Sequence, residues 1–249
     1  MNAVISSVDL NRSRSLEQDA GLRSQPGEPR LPFFFALPSV VVSAQNTKGR
    51  GGSAEVAVFV RTIEPAEAEG EVASIYENEM ASMGRVMEAT RCWTARADIL
   101  APVEHLLHQI RDGFSLDPVD FRLITFVAAK HVPSSYCSHV YFKTLSTLIG
   151  REQALAVYRD YRNAGLTDQQ VAMLAYSEQI TVDASRIRQD DIDALRAVGL
   201  TDRNIADIAL AASFRNFLSR YFDAVGAEAE PEFLDDDPSV RRELSVGRR

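Results

Sequence analysis

Helical periodicity, more than any motif, limits what this chain can become. From Pro65 onward apolar residues recur every three or four positions, and the strict alternation of a half-buried strand is nearly absent. The pattern predicts an all-α domain. Ala68 to Met83 places Val72, Ile75, Tyr76 and Met80 on one stripe, and Gly84 supplies a stop. A second helix is expected over Ile99 to Ile110. Asp117-Pro118 reads as an N-cap and first helical residue, opening a helix through Leu123, Ile124, Val127 and Ala128. Pro133 interrupts it, and a helix from Ser134 to Ile149, expected to be central, follows. Gly165-Leu-Thr-Asp168 recurs as Gly199-Leu-Thr-Asp202, each copy closing one helix at Gly and capping the next at Thr. Two copies make punctuation, not a solenoid. The last long helix is expected from Asp202 to about Val225, with Ile205, Ile208, Ala212, Phe217 and Phe222 on its apolar face and Asn216, Arg220 and Asp223 in a polar network.

The flanks differ in composition. Residues 1–57 are rich in Ser, Arg, Gln, Pro and Gly and read as a disordered or arm-like leader. Its apolar patch, Leu31–Val42, is too short and too interrupted by Pro32 and Pro38 to span a bilayer, and no membrane association is expected. Residues 58–228 form the expected helical domain, and 229–249 read as a solvated charged tail. The 35 acidic residues outnumber the 27 basic ones, giving a net charge of −8, so there is no basic excess for a nucleic-acid backbone. Cys92 and Cys137 are the two cysteines of the chain. They support neither a disulfide framework nor a Cys-rich zinc site, and a cytoplasmic setting fits them.

Cys137 is the best nucleophile candidate. It lies in Pro133-Ser-Ser-Tyr-Cys-Ser-His139, at the first turns of a helix, where free backbone N–H groups and the helix dipole favour a thiolate. Ser134 and Tyr141 share its helical face, whereas His139 points elsewhere. His131 and His139 flank the site in sequence and are candidate bases. Glu104-His105-x-x-His108 has a metal-like spacing but lacks a third ligand, so no metal is expected. No phosphate loop, nucleophile elbow or dinucleotide fingerprint is present, and no cofactor is implied.

At the level of ordered motifs, the stretch from about Ile63 to Phe233 resembles the alkylhydroperoxidase D-like and carboxymuconolactone decarboxylase-like proteins, particularly their peroxidase-related branch. The resemblance is carried by Met83-Gly-Arg-Val86, Arg96-Ala-Asp-Ile-Leu100, Tyr136-Cys137, Asp160-Tyr-Arg-Asn-Ala-Gly-Leu-Thr167, Asp190-Asp-Ile-Asp-Ala-Leu-Arg196 and Ser213-Phe-Arg-Asn-Phe217. It implies a compact all-α fold and a homo-oligomer, trimeric or hexameric. It also implies a Cys-x-x-Cys motif served by a glutamate and a histidine that relay a proton. Here the first cysteine is Ser134, the histidine position is Tyr141 and the glutamate position is Arg122. An intramolecular disulfide between the motif positions is therefore lost. Arg122 becomes a candidate to stabilise a thiolate or, with Ser134, to bind a small anionic substrate.

Three readings follow. Cys137 acts as a one-cysteine thiol oxidoreductase or peroxidase recycled by an external thiol. Alternatively, a cofactor-independent lyase or isomerase uses Arg122 to hold an anion and His131, His139 or Tyr141 to move a proton. In the third reading the chain is a non-catalytic oligomer that binds a small ligand.

Overall fold

The computed structural model describes residues 58–247, so the leader expected over 1–57, with its Leu31–Val42 patch, lies outside the described residues. Among the described residues all regular structure is helical. In chain order the α-helices are α1 (Gly70–Met83), α2 (Glu88–Trp93), α3 (Ala97–Asp112), α4 (Pro118–His131), α5 (Ser135–Ile149), α6 (Arg151–Asp160), α7 (Asp168–Asp183), α8 (Gln189–Ala197), α9 (Asp202–Val225) and α10 (Pro238–Leu244).

Residues 120–129 of α4 are all buried. The segment Phe121-Arg-Leu-Ile-Thr-Phe-Val-Ala-Ala129 has no polar face to give to water, and α5, α7 and α9 enclose it. The centre of the fold is thus α4 as much as the expected α5. The Asp117 side chain accepts from Val119 N–H at 2.7 Å, capping the helix ahead of Pro118. Lys130 and His131 lie in its last turn, where the dipole favours cations. The break at Pro133 then lets Ser134 cap α5 through its hydroxyl.

The two repeated turns act as the sequence predicts. Gly165 and Gly199 adopt φ of 70° and 89°, a left-handed conformation that side chains resist. Thr167 with Gln170 and Thr201 with Asn204 then close reciprocal capping boxes on α7 and α9. At the other end of the domain Trp93 stacks on Tyr221, with ring centroids 3.7 Å apart and planes 8° from parallel. Beside it the buried carboxylate of Glu79 accepts from Met87 N–H and the Thr90 hydroxyl, tying α1 to α2, and burial pushes it up to about 7.

The segment read as a solvated charged tail packs on the domain instead. Phe233, Val240 and Leu244 are buried, and Arg151 grips Asp235 with two hydrogen bonds of 2.9 and 2.8 Å. Arg159 holds Glu243 in the same forked manner, and Tyr158 donates to the Glu243 carbonyl at 3.3 Å. Of the acids that suggested solvation, Asp235 is the partner of an α6 arginine and Asp237 caps α10. Phe217, expected on the apolar face of α9, is 48% exposed. The face that enters the core runs through Ile208, Ala211, Ala212, Arg215, Leu218, Ser219 and Phe222.

Candidate active site

Cys137 lies in the first turn of α5 and is fully buried. Its backbone N–H donates to the Ser134 hydroxyl at 3.4 Å, and that hydroxyl donates to Asp223 Oδ1 at 3.1 Å. Ser134 therefore caps the helix and ties it to α9. It is held where the resemblance would put a resolving thiol. Asn216 bonds Thr181 on α7 and Asp223 bonds Ser134 on α5, while Arg220 is exposed. Asn216 and Asp223 thus tie α9 to two different neighbours, Thr181 and Ser134.

The residue that organises the site is Arg215, 1% exposed and projecting from the core face of α9. Its Nη1 donates to Cys137 Sγ at 3.7 Å, and its Nη2 donates to the Tyr141 hydroxyl. Its guanidinium also lies over the Tyr141 ring, 4.3 Å from the centroid. Arg122 approaches the same ring from α4, with its Cζ 5.9 Å from the centroid. Burial pushes the Arg122 guanidinium down from its ordinary range, Tyr141 opposes that shift, and the charges of Arg111 and Arg215 add to it. The structure thus brings Arg122, Cys137 and Tyr141 together around an arginine that sequence reasoning had missed. A signal for it existed, because Arg215 occupies an i+3, i+4 position in a stripe of Ala211, Ala212, Leu218 and Ser219.

The two histidines do not join this group. His131 ends α4 and sits 3.6 Å from Glu178 of α7, and burial lowers its proton affinity against the pull of that carboxylate. Glu178 also accepts from Tyr161 and Arg162, so His131 belongs to a polar cluster at the α7 side. His139 faces the C-terminal segment, with Nε2 3.1 Å from the Ser245 hydroxyl. Among the described residues no hydrogen bond or ion pair joins either histidine to Cys137, Tyr141, Arg122 or Arg215. The physical reason is helical geometry: a two-residue step turns His139 away from the face of Cys137.

His139 has a role of its own. Burial first, and Arg241 second, hold its proton affinity below the ordinary value of 6.5, with Asp235 opposing. Above 6.5 the imidazole is neutral in the folded and the unfolded chain and adds no pH dependence. As pH falls below 6.5 and towards the depressed folded value, the unfolded chain gains protons that the folded one refuses, so stability is lost across that window. Protection of the amides in residues 238–247, taken relative to the intrinsic exchange rate at each pH, is expected to fall between pH 7.5 and pH 5, and His139→Gln is expected to flatten that dependence. An unchanged pH dependence in the variant would assign it to another group.

Cys92 is also fully buried, and burial with the nearby Glu88 pushes its thiol up to about 12. It is a packing residue of α2 in the core. His108 lies 3.8 Å from Glu104, whereas His105 is exposed, and among the described residues no three metal-ligating side chains converge. No helix among them is long and apolar enough to cross a membrane.

The helical arrangement defines the AhpD-like fold of peroxidase-related proteins. An uncharacterized peroxidase-related protein described as an alkylhydroperoxidase AhpD core, from Ralstonia eutropha JMP134, superimposes with a TM-score of 0.68 at 19% identity, covering 72% of this chain and 96% of that one. Another, from Silicibacter sp. TM1040, gives a TM-score of 0.62 at 22% identity over 66% of this chain and 86% of its own. The debrominase Bmp8, solved as a cysteine-to-alanine variant in complex with 2,3,4-tribromopyrrole, gives 0.62 at 14% identity over 76% and 98%. At these identities the likeness is one of fold. No family model and no curated protein matches the sequence.

Proposed function

We propose that this protein is a thiol oxidoreductase in which Cys137 alone carries the redox chemistry and a small organic hydroperoxide is the oxidant. The observation that carries this reading is the Arg215 Nη1 contact of 3.7 Å to Sγ in the first turn of α5. The anion left when the thiol gives up its proton is the species that a guanidinium and an amide-rich helix start are placed to hold. Sulfur then attacks the distal peroxide oxygen, the O–O bond breaks, and the alkoxide leaves and takes a proton. An external thiol condenses with the resulting sulfenic acid, releasing water and forming a mixed disulfide. A second thiol reduces that disulfide and restores Cys137. Ser134 supplies no resolving sulfur, so the external thiol is obligatory.

The experiment is dimedone trapping after one equivalent of cumene hydroperoxide, coupled to thiol consumption. Wild type and Cys92→Ser are expected to label and turn over, and Cys137→Ser to do neither, with a loss of at least about 1,000-fold. An unlabelled Cys137 in wild type would end this reading. A second reading, a cofactor-free lyase or isomerase, draws support from Arg122 and Tyr141, which lie together without a resolving thiol or histidine relay. The shared fold with a debrominase supports chemistry on a small organic molecule in either case.

A further inference from the structure

Two arginines are buried in this core, and among the described residues neither has a carboxylate within ion-pair distance. Arg215 is 1% exposed and Arg122 7%. Both flank one ring, that of Tyr141, at 4.3 and 5.9 Å from its centroid. The two guanidinium carbons therefore lie within about 10 Å of each other. Arg215 spends Nη1 on Cys137 and Nη2 on Tyr141, yet its Nε is buried with no hydrogen-bond partner. One turn along the same face of α9, the buried Ser219 hydroxyl is also without a partner. A buried charge is retained only when something of opposite sign compensates it, and orphaned buried donors mark a missing acceptor. Several more exposed arginines of the domain, Arg151, Arg159, Arg162, Arg196 and Arg203, hold carboxylates instead.

We propose that the region between α4, α5 and α9 where Arg122, Arg215 and Tyr141 meet is a binding site for the carboxylate of a small organic acid. A carboxylate matches the planar fork of a guanidinium, offsets part of the positive charge, and accepts the leftover donors. A phosphate dianion would bring more charge into a site walled by Tyr141 and the apolar stripe of α9, at a larger desolvation cost. The acid's body would then lie beside Cys137, which makes the substrate of the proposed reaction a carboxylate-bearing molecule. That placement rests on the proposed function, whereas the anion site itself does not.

The test uses the full chain and sodium benzoate, with benzamide as the uncharged isostere and sodium chloride and sodium phosphate at matched ionic strength. Benzoate is expected to raise the melting temperature saturably in wild type and in Cys137→Ser, by about 5 to 10 °C at a hundredfold excess over Kd. Arg215→Met is expected to abolish the rise, and Arg215→Lys, which keeps the charge and loses the fork, to move the midpoint at least tenfold higher. No rise in wild type, an equal rise in Arg215→Met, or an equal rise with benzamide, chloride or phosphate would overturn the proposal. If neither Arg215 variant folds, calorimetry on wild type decides: a saturable one-to-one heat with benzoate and none with benzamide supports it, and absence of the benzoate heat overturns it. Because Cys137→Ser binds without a thiol, loss of the redox reading leaves a positive benzoate result standing.

Discussion

A chain cut after residue 229 is expected not to fold stably. The cut removes Phe233, Val240 and Leu244 from the core, and full burial of each such side chain is worth about 1.5 to 3 kcal/mol. The sum is comparable to the whole net stability of an ordinary domain, about 5 to 15 kcal/mol. It also strips Arg151 and Arg159 of Asp235 and Glu243 and leaves His139 without Ser245. Circular dichroism and thermal melts of residues 58–229 against 58–249 would measure the effect. A truncated domain melting within about 5 °C of the longer one would show that the segment is an accessory.

Arg122→Glu is expected to move stability and activity in opposite directions. Glutamate at this position restores the acidic residue implied by the family resemblance. Here it would stand beside Arg215 and Tyr141 as a resident anion, pairing a guanidinium that now lacks a carboxylate and removing one buried charge of the same sign. The melting temperature should hold or rise. Turnover of a carboxylate-bearing hydroperoxide should fall about 100-fold or more, the scale of losing one oriented charge donor, because the internal carboxylate repels the substrate anion and competes for Arg215. Turnover within a few-fold of wild type would mean that Arg122 only packs.

The parts of this fold that could be read from sequence are those set by local chemistry. Asp117-Pro118, Pro133, and the Gly-x-Thr turns at 165–167 and 199–201 fix helix ends within a few residues of themselves, and the structure places them as read. What escaped depends on contacts distant along the chain. Of the α9 face read from the sequence, Ile205, Ile208, Ala212 and Phe222 are buried and only Phe217 turns out to solvent. The same stripe, continued through Ala211 and Leu218, carries Arg215 inward, which an apolar count cannot register. The segment after 229 was misread for a related reason: Asp235, Asp236 and Asp237 dominate its composition, while the arginine that neutralises Asp235 lies 84 residues earlier. Proximity in sequence also overstated His131 and His139, whose side chains leave the cysteine's face for Glu178 and Ser245.

The stacked pair of Trp93 and Tyr221 gives the molecule an optical handle. Trp93 is the one tryptophan of the chain, 3% exposed, and its partner ring belongs to α9, the helix that also carries Arg215. Its indole emission therefore comes from a single tryptophan whose surroundings are set by the junction of α2 with α9. Loosening α9 would unstack the rings, admit water to the indole and shift its fluorescence to longer wavelength. Events at the arginine cluster thus have a spectral reporter less than two helical turns away along α9, with no label to attach.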